Sequence, residues 1–458
     1  MAVSALAAVA TVAVVGLTGA EPGPRGAPAV YAPALFPPLL GIVGEGRAQA
    51  LARIDPDTLR ARGGRRVRVG EGGCAPSSGG QACWALPPWS FAPRAPLLAL
   101  ARNDQVLTPS LRVVDVRRMR VRAEVPLASG AVGLLAWLAP RRVLVVQEVC
   151  CDERQRLVAV DLARRRGVAR RPLGGRVVRA GRTARELVLL VAPAEEIGPA
   201  RLAVADRKGA VRFARLERMP AGVKLLPGQD FRIEQSLPGL AVDPNGRRAF
   251  VVGPGLVAEV DLATLEVRYH EPEPAASVLA RLLDWLDPVA YAKGATGSMR
   301  TARWLGGGLL AVTGADEELV EDARGREENR IRAAGLDVID TRDWSVRTFD
   351  AGATNVQVAG GLLLATGSSL DPTGRTPRAV GLAAYGIDGR RRFRVFERRE
   401  VWIRQVYRGR AYVDMSLRKP PWASLRVVEL DAGRATRREP GTPLPWLLLE
   451  TASGRWDD

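Results

Sequence analysis

The chain has 458 residues, 47% of them hydrophobic, and a formal net charge of +18. That length excludes a small stapled scaffold and leaves room for a large core. The single histidine, His270, excludes multi-histidine metal centres outright.

All but four of the 67 basic residues are arginine, the lysines being Lys208, Lys224, Lys293 and Lys419. They are spread in short runs such as Arg164–Arg166 rather than gathered on one tail. A scattered basic surface implies non-specific attraction to anionic polymers at low salt, not a specific nucleic-acid site.

In chain order, residues 2–20 are apolar or small and run into a Pro/Gly-rich linker over 21–38. Residues 1–20 read as a signal peptide with Thr18-Gly19-Ala20 at its end, or as an uncleaved N-terminal anchor, though no Lys or Arg precedes them. The expectation is a secreted or cell-envelope protein, touching a membrane only through residues 2–20 if these are retained. Cys74, Cys83, Cys150 and Cys151 suit an oxidising compartment and are the disulfide candidates, with three connectivities open.

From residue 39 to residue 454 one module recurs about eight times. It has an apolar strand, a variable gap, a second strand ending near Asp, a tight turn and a more polar third strand. A further strand precedes most copies. The second-strand ends are Asp55, Asp115, Asp161, Asp206, Asp261, Asp340, Gly386 and Leu430, in steps of 60, 46, 45, 55, 79, 46 and 44 residues, a period in the mid-forties with a few insertions. That period is the length of a four-stranded propeller blade, whose faces must be covered by neighbouring blades. The segment PLPWLLLETASG (443–454) has no blade of its own and is expected to complete the first one. The expected fold is all-β: a single, monomeric β-propeller of eight four-stranded blades, or alternatively seven. The C-terminal strand closes it by pairing into the N-terminal blade.

Asp243-Pro244-Asn245-Gly246, Val260-Asp261-Leu262-Ala263-Thr264 and Val338-Ile339-Asp340-Thr341 resemble the turn-and-strand signature of YVTN-type, WD-repeat-like propellers. The resemblance implies the fold, frequent export and a role in binding or recognition. It carries no chemistry.

The a–b and c–d turns are short. The long segments fall in b–c loops and d–a crossings, which share the other face of the disc. Residues 275–293 read as an inserted amphipathic helix, with Leu279, Leu282, Leu283 and Leu286 on one stripe and Trp285 beside it. Residues 314–334 read as an acidic, solvated loop containing Asp316, Glu318, Glu321 and Asp322. Its spacing does not wrap a calcium ion. Trp285 and these four carboxylates are the candidates for a ligand or partner face.

No catalytic residue, metal ligand or cofactor site is expected. His270 lies at the end of an outer strand, a poor place for a base. The expected function is an exported, non-catalytic propeller that binds a protein or cell-envelope ligand through the elaborated face. The alternative is a propeller enzyme, a hydrolase, lactonase or quinone-dependent dehydrogenase, with its site at the central channel. Convergent carboxylates and arginines at the axis favour the enzyme, and a plug of Val, Ala and Leu favours the binder.

Overall fold

The computed structural model describes residues 39–43, 50–68, 90–92, 95–102, 109–128, 130, 132–149, 152–194, 196–226, 232–272, 295–321, 327–370, 377–416, 423–437 and 447–449. The chain opens with β1 (Leu40–Val43), β2 (Ala50–Arg53) and β3 (Val67–Arg68). A second set is β4 (Leu97–Arg102), β5 (Ser110–Asp115) and β6 (Arg120–Pro126). A third is β7 (Val132–Ala139), β8 (Arg142–Val149), β9 (Asp152–Asp161) and β10 (Arg166–Pro172). Next come β11 (Arg176–Arg182), β12 (Leu187–Ala192), β13 (Gly198–Ala205), β14 (Val211–Leu226) and β15 (Arg232–Leu237). They are followed by β16 (Gly239–Val242), β17 (Arg248–Gly253), β18 (Leu256–Asp261) and β19 (Val267–His270). Then follow β20 (Ala295–Gly306), β21 (Leu309–Glu321), β22 (Glu327–Asp340) and β23 (Val346–Asp350). The chain continues through β24 (Asn355–Ala359), β25 (Leu362–Leu370), β26 (Pro377–Gly386) and β27 (Arg391–Val395). It ends with β28 (Val401–Tyr407), β29 (Arg410–Ser416), β30 (Ala423–Glu429), β31 (Arg434–Arg437) and β32 (Leu447–Leu449).

The recurring aspartate builds a recurring turn. Asp261 Oδ1 accepts from the amides of Ala263 and Thr264, both at 2.8 Å. Asp161 does the same with Ala163 and Arg164, and Asp55 with Asp57 and Thr58. Four residues after the aspartate the backbone is left-handed, at Leu59 (φ 59°), Met119 (49°), Arg165 (50°), Leu265 (64°) and Trp344 (63°). A non-glycine residue there costs about 1–2 kcal/mol. The carboxylate bonds offset that cost, as does a closing bond such as Leu265 N–H to the Asp261 carbonyl at 2.8 Å.

The same bonds lower the carboxyl pKa values. The Thr264 amide holds the Asp261 carboxyl below its ordinary value. The Arg342 side chain brings Asp340 down to about 2. Because the folded values are depressed, this stabilisation is complete above the unfolded value near 4 and is lost as pH falls toward 2.

Neighbouring sheets meet through aliphatic interfaces. Leu190, Leu202 and Leu216 pack against Leu240, Val242 and Val251. Phe250 stacks on Trp304 with centroids 5.4 Å apart. The last sheet meets the first: Tyr407 and Tyr412 pack with Leu39, Ile54 and Leu59. The Tyr412 hydroxyl also donates to the Pro56 carbonyl at 3.2 Å. Strand β32 pairs antiparallel with β1, Leu40 opposite Leu449 and Ile42 opposite Leu447. The ring is therefore joined both by pairing and by packing.

The count of blades needs correction. Among the described residues six sheets carry the four or more strands of a full blade, not eight or seven: five four-stranded sheets and one of nine strands. The set β4-β5-β6 has three strands. The nine-stranded sheet arises because β14 runs on past the disc and pairs with β15, which then pairs parallel with β20, Gln235 opposite Gly297 and Leu237 opposite Met299. The sheet β16–β19 packs between its two ends. Parts of the crossings 217–238 and 271–300 are thus strand rather than loop. The acidic segment is likewise strand on both sides, since β21 and β22 pair from Leu309 opposite Asp340 out to Glu321 opposite Glu327. No helix occurs among the described residues, and the segment 275–293 lies outside them.

Gly239 permits this junction. A Cβ there would sit 2.7 Å from the Ala302 nitrogen, so β16 meets β20 this closely only with glycine.

Three outcomes are expected. Asp261→Ala loses about 1 kcal/mol in urea unfolding and Asp261→Asn, which keeps an acceptor, less than half of that. Acidification from about pH 5 to about pH 2 weakens the wild type more than Asp261→Asn, and equal slopes would contradict the role given to the carboxylate. Gly239→Ala costs about 1–3 kcal/mol by thermal unfolding, and an unchanged midpoint would refute the close approach.

Candidate functional site

Sequence reasoning placed the site on Trp285, Asp316, Glu318, Glu321 and Asp322. Trp285 and Asp322 lie outside the described residues, as do Cys74, Cys83, Cys150 and Cys151. Glu318 and Glu321 fall on β21, with only their backbone described. Asp316 is on the same strand and is engaged: Arg300 Nη1 and Nη2 donate to its two oxygens at 2.7 and 3.0 Å. His270 is also tied down. Its Nε2 lies 3.0 Å from Glu259 Oε2, and its ring stacks on Trp344 with centroids 3.6 Å apart.

The innermost strands carry a feature the sequence reading passed over. Strand β11 reads RVVRAGR, with Val177 and Ala180 packed toward the preceding sheet and Val178 toward the next. A register shift leaves Val178 unpaired, and Arg179 pairs with Leu190. Arg179 Nη1 donates to its neighbour Val178 at 2.9 Å. Its Nη2 reaches past β16 to the Arg300 carbonyl on β20, at 3.2 Å. Arg182 reaches the other way, to the Trp137 carbonyl on β7 at 3.3 Å. Two arginines of one inner strand thus bridge the neighbours on either side.

Arg179 is partly buried and has no carboxylate at ion-pair distance among the described residues. Burial, and then the charge of Arg303 on β20, lower its pKa from the ordinary arginine value. Arg300 differs. It is 8% exposed, bound to Asp316, and also donates to the carbonyls of Met299 and Ala315. The Arg300–Asp316 pair stands where β20 and β21 leave the disc, so the axial arginines lie at the base of the projecting strands.

A second carboxyl faces this region. Asp337 on β22 accepts from the Thr348 hydroxyl at 2.6 Å. Burial raises its pKa, against the opposing effects of Thr348 and Arg300. Asp337 is opposite Val312 and Asp316 opposite Arg332, register positions four apart along β21. Among the described residues the inner strands thus bring arginines together, with Asp316 bound to Arg300 and Asp337 within the influence of the same guanidinium. Three arginines in a strand expected to be innermost was the signal available in the sequence.

On the opposite face, the short turns enclose an open crevice of about 1290 Å3 between one end of the nine-stranded sheet and the sheet β16–β19.

Asp316→Ala is expected to leave Arg300 buried without its counter-charge and to cost about 2–3 kcal/mol in chemical unfolding. A loss under about 0.5 kcal/mol would show the pair to be an ordinary surface contact.

No protein-family model matches the chain, and no curated protein matches it in sequence. Among solved structures it is similar to the dihydro-heme d1 dehydrogenase NirN in complex with DHE, at 14% identity over 95% of this chain and 84% of that one, with a TM-score of 0.50. It is similar to the β-propeller domain of the Trilobed protease from Pyrococcus furiosus, at 13% identity over 66% and 82%, TM-score 0.36. It is also similar to the WD40 domain of Toxoplasma gondii coronin, at 12% identity over 72% and 77%, TM-score 0.37. Likeness at these identities is one of fold, and one fold serves enzymes and binding modules alike. The arrangement of its sheets makes the chain a β-propeller.

Proposed function

We propose that the chain is a non-catalytic recognition propeller that takes a multiply charged anion at its axis, entering from the face where β20, β21 and β22 project. The observation that carries this reading is the guanidinium of Arg179. Among the described residues its hydrogen bonds go to backbone carbonyls alone, and its nearest charged influence is a second guanidinium. A buried charge without a counter-charge is costly, and an anion arriving there removes the cost. The planar fork of arginine suits phosphate or carboxylate oxygens. The ligand is either a small anion or the anionic group of a larger protein or cell-envelope partner on that face.

The rival hydrolase reading needs an acid–base pair. The sole histidine is in contact with Glu259 and Trp344, and Asp316 is bound by Arg300.

The test is calorimetric titration at low salt with inorganic pyrophosphate and with citrate. The wild type binds, and Arg179→Gln binds at least about 10-fold more weakly. Equal affinity in the variant, or no binding by the wild type, would overturn the reading.

A further inference from the structure

The crevice on the turn face is separate from the axis. It is walled by the β11–β12, β13–β14, β16–β17 and β18–β19 turns, and buried Leu262 forms part of its floor with Pro244 and Ala263. Its two carboxylates are both occupied. Glu186 Oε1 accepts from Arg212 at 3.0 Å, and Asp206 Oδ1 accepts from the amides of Lys208 and Ala210 at 2.7 and 2.9 Å. Arg212 is spent as well, donating to the carbonyls of Ala263 and Leu262, each at 2.9 Å. The charges that remain are Arg185, Arg207 and Lys208, all exposed. Arg207 Nη2 rests on the Ala184 carbonyl at 3.2 Å, which fixes the guanidinium at the crevice wall with its other donors facing outward.

We propose that this crevice binds an acidic peptide segment, whose carboxylates are taken by Arg185, Arg207 and Lys208. The space exceeds the roughly 300–1,000 Å3 of a small-molecule pocket and is open, which suits an extended chain. No aromatic side chain lines it, so nothing is placed to stack a base or a sugar ring. Glu186 and Asp206 interrupt the positive field, which disfavours a uniformly charged strand such as nucleic acid. A peptide with spaced carboxylates meets no such repulsion, and the guanidinium fork matches a carboxylate.

The net charge of +18 makes every surface of this protein attractive to anions, so the test must separate the crevice from the rest. Fluorescence anisotropy at low salt is measured with a labelled glutamate-rich peptide and with a single-stranded oligonucleotide of equal charge. The double variant Arg207→Glu/Lys208→Glu is compared with Arg390→Glu/Arg391→Glu, which makes the same charge change on another turn of the same face. The crevice variant is expected to lose at least about 10-fold in peptide affinity while the control stays near wild type and both melt alike. Arg179→Gln is expected to keep peptide binding, which separates this site from the axial one. The proposal is overturned if both double variants weaken alike, if the peptide does not bind, or if Arg179→Gln rather than the crevice variant abolishes binding. It is overturned equally if the oligonucleotide binds with the same dependence on Arg207 and Lys208.

Discussion

Strand β12 shows the constraint on which the rest of the molecule depends. All six of its residues are buried, Leu187, Leu189 and Val191 against one neighbouring sheet and Val188, Leu190 and Ala192 against the other. A sheet apolar on both faces is stable only between two others, each buried side chain contributing about 1.5–3 kcal/mol. The same demand passes from sheet to sheet until the set closes on itself. Closure falls to β32 on β1 and to Tyr407 and Tyr412 against Leu39, Ile54 and Leu59. The aspartate turns after Asp55, Asp115, Asp161, Asp261 and Asp340 give those repeats the same corner.

Closure has an electrostatic consequence. It draws the innermost strands together, and with them whatever polar side chains they carry. Arg300 meets this by binding Asp316. Arg179 has only carbonyls, and Arg303 faces it with the same charge. An arrangement that is unfavourable for the free protein is favourable for capture of an anion, which is the usual relation between stability and a binding site.

Much of this was legible in the sequence because it is local. Asp55, Asp161 and Asp261 each stand at the end of an apolar run and so announce its turn, and Asn245-Gly246 and Gly360-Gly361 mark hairpins between adjacent strands. The number of sheets was not legible, because periodicity reports the unit and not which edges meet. The join through β15 and β20 depends on partners distant in the chain, and the alternation within β14 gives no hint that it outruns its own sheet. The segment around Asp316 reads as loop because charged residues occupy both faces, as suits strands that stand clear of the apolar disc. Arg179 escaped notice for another reason: a one-residue shift in register decides whether it lies in an interface or reaches across the axis. His270 does end an outer strand, β19, as its place in the repeat implied.

The claim that Arg179 is an uncompensated charge kept for a ligand is tested most directly by the unfolding free energy of Arg179→Met, with and without pyrophosphate. The account predicts a ligand-free variant at least as stable as the wild type, and stabilisation by pyrophosphate in the wild type alone. A variant that loses about 2 kcal/mol or more without ligand, and gains as much from pyrophosphate as the wild type does, would mean that Arg179 serves the fold and not a ligand.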